Sequence, residues 1–107
     1  MIYLATPYTH PDPRVEEQRF VEACRIANFY MLLGDMIFSP IVHCHPIATR
    51  FKMPTNHEFW LAYNKHFLSL SELLRVAKMP GWANSRGVNA EIIMAREANI
   101  SVEFVEP

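Results

Sequence analysis

Four short apolar runs alternate with three helix-like segments along the chain, and this alternation restricts the fold more than any single motif does. Ile2–Ala5, Met36–Phe38, Leu73–Ala77 and Val102–Val105 are rich in strand formers and too short for helices. The first helical segment opens at Asp12-Pro13, with a capping side chain and a proline at the first helical position, and closes at Gly34. Phe20, Cys24, Ala27 and Met31 recur there at helical spacing, with Ala23 and Tyr30 beside them. Glu16 and Glu17 suit the positive end of that helix's dipole. A second helix starts from the capping box Thr55-Asn56-His57-Glu58 and carries the stripe Phe59, Tyr63, Phe67, Leu70. A third runs from about Ser85 to Ala98. Residues 41–56, flanked or broken by Pro40, Pro46 and Pro54, read as a long irregular stretch of the kind that often carries function. Arg75 stands out, because a central parallel strand is normally apolar on both faces.

The order βαβαβαβ implies a parallel sheet with right-handed crossovers and helices on both faces. The expected architecture is therefore a single flavodoxin-like α/β domain over residues 1–107, a three-layer sandwich around a four-stranded sheet ordered 2-1-3-4. An antiparallel hairpin between the first two runs would exclude it. In such sheets ligands bind beyond the carboxyl ends of the strands. Those ends are Pro7-Tyr8, Pro40 to His45 and Gly81 to Gly87.

Composition removes several function classes. The net charge is -1, and the ten basic residues form no stripe, so no nucleic-acid polymer is expected as partner. No apolar run approaches the ~20 residues of a membrane span. Met1 leads straight into a strand-like run without the charged start of a signal peptide, which points to the cytoplasm. The two cysteines, Cys24 and Cys44, make no disulfide framework. A chain of this length leaves much of its surface open, so association into a homo-oligomer is expected.

The segment Pro80-Gly81-Trp82-Ala83-Asn84-Ser85-Arg86-Gly87-Val88-Asn89-Ala90-Glu91 leaves a strand, turns and opens a helix. Ser85 suits the cap, Gly87 lets a ligand approach the backbone, and free N–H groups there suit an anion or a polar sugar group. Glu91 falls on the stripe with Met94, Ala95 and Ala98, which places a carboxylate near the mouth of the site. The alternative is a half-exposed Glu bonded to a neighbouring loop.

Tyr3-Leu4-Ala5-Thr6-Pro7-Tyr8, Ser39-Pro40, and Gly87-x3-Glu91 with Ala95 resemble the nucleoside 2-deoxyribosyltransferase superfamily over nearly the whole chain. Pro80-Gly81-Trp82, Ser85-x-Gly87-Val88 and His45-Pro46 look closest to a small branch of it. The resemblance implies that Glu91 is a nucleophile attacking the anomeric carbon of a 2-deoxyribosyl group, with a second base or water completing transfer or hydrolysis. It implies that Tyr8 orients that nucleophile and that Ser85 binds the sugar or a 5'-phosphate. The substrate would be a deoxynucleoside or its monophosphate, with no cofactor. Asn64 departs from the pattern, which has an Asp nearby to handle the leaving base's proton; an amide cannot serve as a general acid. Another group does this work, or the base leaves easily, or the pocket holds a nucleotide-like ligand without turnover.

His43, Cys44 and His45 invite a metal, but three consecutive residues do not converge on one ion and the spacing of zinc sites is missing, so no metal is expected. His45 is read instead as a histidine with polar or ligand contacts. Trp60 and Trp82 are read as packing residues, with Trp82 also placed to stack on a base. Nothing in the sequence around Cys44 argues for an activated thiolate.

Overall fold

The computed structural model describes residues 1–53 and 56–107. Its elements are β1 (Ile2–Ala5), α1 (Pro13–Leu32), β2 (Ile37–Phe38), α2 (Pro40–Phe51), α3 (His57–Ser69), β3 (Leu73–Ala77), α4 (Arg86–Glu97) and β4 (Ser101–Val105), with a single 3₁₀ turn at Trp82–Asn84 before α4. The four strands form one parallel sheet in the order β2-β1-β3-β4. Ile2 sits opposite Ile37 on one side and Leu73 on the other, and Ala77 closes the far register against Val105. The architecture is the expected α/β sheet.

Alternation along the strands sorts the two faces. Tyr3, Ala5, Leu74 and Val76 point one way and are covered by Leu68 of α3 and by Val88, Ile92 and Ala95 of α4. Leu4 and Ala77 point the other way, against Ile26 and Ala27 of α1. Within α1 the stripe is narrower than expected: Ala23, Ile26 and Ala27 are buried, whereas Met31 is exposed. Asp12 caps α1 by accepting the Arg14 N–H at 2.9 Å, with Pro13 at its first position. Gly34 ends it at φ +95°. No described helix is long and apolar enough to cross a membrane.

Within the stretch 41–56, residues 41–51 are not irregular. Pro40–Phe51 is helical, and α2 packs against α1. Ser39 accepts the Val42 N–H at 3.2 Å and Pro40 takes the first position, where its missing N–H costs nothing. Pro46 lies inside the helix and is exposed. Lys52 then turns left-handed at φ 51° to end it. Asn56 caps α3 by accepting the Phe59 N–H at 2.7 Å; Thr55, the expected first residue of that capping box, lies outside the described residues.

Arg75 occupies β3 without leaving its charge alone. Its guanidinium donates to Asp35 at 2.8 Å and to Glu103, its cross-strand neighbour on β4, and lies 4.2 Å from the centre of the Tyr30 ring. The charge lies on the α1 face of the sheet, where two carboxylates and an aromatic face replace water.

Candidate active site

At the carboxyl end of the sheet the chain encloses a cavity of about 570 Å³, a size usual for small-ligand sites. The segment after β1 contributes Thr6 and Tyr8. Cys44 and His45 come from α2, Trp60 and Asn64 from α3, and Ser85, Gly87 and Glu91 from the turn into α4 and its first turns. The connections leaving three different strands thus meet at one place.

Glu91 is buried, 6 % exposed, on the inward face of α4. The Tyr3 hydroxyl donates a hydrogen bond to its Oε2. Burial pushes the Glu91 carboxyl up to about 7, against which the Tyr3 bond works in the opposite direction. Tyr3 itself is held well above the usual phenol range, by burial first and then by the neighbouring carboxylate, so it stays a donor. The half-exposed alternative for Glu91 does not hold.

The residue that holds Glu91 is therefore Tyr3, not Tyr8. On β1, Tyr3 faces the side of the sheet that α4 covers. Tyr8 lies beyond Pro7, where the chain has left the sheet, and turns toward α2. There its hydroxyl meets His45 Nδ1 at 2.6 Å, and His45 Nε2 meets Glu17 Oε2 at 2.7 Å. His45 is buried and stacks on Phe20 with ring centres 4.3 Å apart. Burial, then repulsion from Glu16 and Glu17, pushes the Tyr8 hydroxyl up to about 12.

Ser85 caps α4, accepting the Val88 N–H at 3.2 Å. A Cβ added at Gly87 would meet only Ser85 Oγ, at 3.9 Å, so the space above that turn is open. Gly81 cannot be replaced so freely: its φ is +90°, and a Cβ would come within 2.8 Å of Arg19 Nη2. Arg19 in turn donates to the carbonyl oxygens of Tyr8 and Thr9 and fixes the path of the chain after β1.

Asn64 lines the cavity, and its Oδ1 is buried without a partner among the described residues, as is the Thr6 hydroxyl. Trp82 lies elsewhere: its ring packs against the core and on Phe104, with centres 5.5 Å apart. The tryptophan that lines the cavity is Trp60. His43, Cys44 and His45 diverge from α2: His43 is exposed beside Phe38, whereas Cys44 is buried near Tyr63. Burial raises the Cys44 thiol, the opposite of activation. Among the described residues no three His, Cys, Asp or Glu side chains converge as metal ligands would.

Residues 1–106 match the family described as "Domain of unknown function (DUF1937)". The chain belongs to this family. No curated protein matches it. The match spans every element of the DUF1937 fold described above, the cavity walls included.

Two site features escaped the sequence. Tyr3 carried a signal: a tyrosine in a buried strand needs a partner for its hydroxyl, and Glu91 is the polar group on the helix face that covers it. Glu17 carried none, because a glutamate in the first turns of a helix is already accounted for by the dipole.

Proposed function

We propose that the protein cleaves, or transfers across, the N-glycosidic bond of a deoxynucleoside or deoxynucleoside monophosphate, with Glu91 as nucleophile. The observation that carries this reading is a single buried carboxylate, held by the Tyr3 hydroxyl, on the wall of a nucleoside-sized cavity at the carboxyl end of a parallel sheet. The resemblance to the nucleoside 2-deoxyribosyltransferase superfamily supports the same role for the same residue. In this reading the ionised Glu91 attacks the anomeric carbon, the base departs with the bonding electrons, and a covalent glycosyl ester forms. Water or an acceptor base then attacks the same anomeric carbon and gives up a proton, while the C1'–O bond breaks and Glu91 leaves as the carboxylate. Tyr3 aims the carboxylate without taking its proton. Ser85 and the open backbone at Gly87 receive the sugar's 5' end or its phosphate.

The test is incubation with a panel of deoxynucleosides and their monophosphates, followed by chromatography for free base. Glu91→Gln should abolish release while the circular dichroism spectrum stays unchanged, because an amide is about the same size and far less nucleophilic. Unchanged release in Glu91→Gln would remove this mechanism. A second reading, a binding module without turnover, draws on Asn64, which offers the cavity an amide where the resemblance has a carboxylic acid. It is favoured if ligands stabilise the protein and no base is released.

A further inference from the structure

The chain Glu17–His45–Tyr8 has a direction. Glu17 is 58 % exposed at its outer end, His45 is buried in the middle, and Tyr8 lines the cavity at the inner end. An ionised carboxylate only accepts hydrogen bonds, so Glu17 requires a hydrogen on His45 Nε2. The state of the other ring nitrogen then decides what Tyr8 does. When His45 is neutral, Nδ1 accepts the Tyr8 O–H, and the phenol shows the cavity only lone pairs. When His45 is an imidazolium, Nδ1–H donates to the Tyr8 oxygen and frees the O–H for a ligand. Histidine is the side chain that makes this change in the neutral range. Tyr8 itself keeps its proton there, with its hydroxyl pushed up to about 12.

We propose that Tyr8, loaded through His45 and Glu17, donates the proton to the leaving base, the task that a carboxylic acid at position 64 would otherwise perform. This rests on Glu91 as nucleophile. As the C1'–N bond breaks, its electron pair stays on the base nitrogen, which takes the Tyr8 proton. Tyr8 Oη takes the proton from His45 Nδ1. His45 becomes neutral with its Nε2–H still on Glu17, and Glu91 Oε bonds to C1'. In the second half-reaction the attacking water or base returns its proton through Tyr8 to His45. Tyr8 is thus a catalytic residue, and His45 and Glu17 are positioning and loading residues. The charged and titratable groups that line the cavities on either side of the relay are Glu16, Glu17 and Arg19 from α1, Cys44 and Arg50 from α2, His57 from α3, and Arg86 and Glu91 from α4.

The experiment compares two leaving groups. One substrate is a purine deoxynucleoside, whose base must be protonated to leave. The other is p-nitrophenyl 2-deoxyriboside, whose nitrophenolate leaves without a proton. Tyr8→Phe should lose ~100-fold or more on the purine substrate, the usual size of general-acid catalysis, and stay within a few-fold on the nitrophenyl one. The parent's rate on the nitrophenyl substrate should rise as Glu91 ionises. Glu17→Gln, at the exposed end of the relay, should lose rate on the purine substrate and keep it on the nitrophenyl one. Equal losses of Tyr8→Phe on both substrates, or no loss on either, overturn the relay and leave Glu91 standing. If the parent releases neither leaving group, the relay and the Glu91 reading fall together.

Discussion

A carboxylic acid removed from water holds its proton more tightly, and at Glu91 that preference competes with the chemistry proposed for it. In the proposed mechanism only the ionised form attacks carbon, so with the carboxyl raised to about 7 Glu91 gains its charge as the pH passes through neutrality. The same shift acts on stability. The folded value lies above the unfolded one, taken as 4.5, so the folded state binds more protons between the two. Stability is therefore lost as pH rises from about 4.5 to about 7, and the loss amounts to about 3 kcal/mol at ~1.4 kcal/mol per unit. Glu91→Gln copies the neutral form and still accepts from Tyr3, so it escapes that loss. Urea unfolding should show the variant gaining on the parent from pH 5 to pH 8, by up to about 3 kcal/mol. A constant difference across that range would mean that Glu91 is not desolvated in solution. The position of Glu91 on the inner face of its helix was legible from its stripe with Met94, Ala95 and Ala98. Its partner was not, because the pairing of Tyr3 with Glu91 spans 88 residues and depends on which face of β1 meets α4.

At the scale of elements, α1, α3, α4 and all four strands follow from local signals: caps, apolar spacing and, for α1, a closing glycine. The exception is α2, where prolines suggest a loop and the chain makes a helix. Ser39 and Pro40 were helix-start signals as good as Asp12 and Pro13, and Pro46 outweighed them. Pro46 has no N–H to give to the carbonyl four residues back, that of Val42, and an interior proline costs a helix ~3 kcal/mol relative to alanine. Packing on α1 and the tie from His45 to Tyr8 and Glu17 hold the helix despite this. Since Pro46 is exposed, Pro46→Ala should stabilise the protein by about 1–2 kcal/mol, less than the intrinsic difference because proline also restrains the unfolded chain. Thermal unfolding would register this as a higher midpoint. A lower one would show that Pro46 sets the position of His45. Arg75 marks the opposite limit: its strand was legible, but the partners that make a buried guanidinium tolerable come from Asp35 and Glu103, far away in sequence.

For the molecule as a whole, the cavity is the region where separate parts of the chain converge: the segment after β1, α2, α3 and the start of α4. The rule that ligands bind at the carboxyl ends of parallel strands located it in advance, and Tyr8, Ser85, Gly87, Asn64, His45 and Glu91 all reach it. The rule could not say which tryptophan would face inward. Trp82 lies in the 3₁₀ turn before α4 and packs on Phe104 of β4, whereas Trp60 sits on the helix that walls the cavity. A ligand that touches α2, α3 and the start of α4 binds only the folded chain and must stabilise all of it. At a hundred times its dissociation constant it adds about 2.7 kcal/mol. In a domain of this size that raises the unfolding midpoint by more than about 10 °C. The Glu91→Gln variant suits this measurement, since it should hold substrate without consuming it. A deoxynucleoside monophosphate should shift its midpoint further than the matching nucleoside at equal concentration, because in the proposed reading its phosphate would meet the free N–H groups at the start of α4 beside Arg86. Ser85→Ala should lower the unliganded stability by about 1 kcal/mol through the lost cap and should also erase the monophosphate's advantage. Equal shifts from nucleoside and monophosphate would place no phosphate at Ser85. If neither shifts the midpoint, the cavity does not take nucleosides, and the N-glycosidic reading loses its substrate.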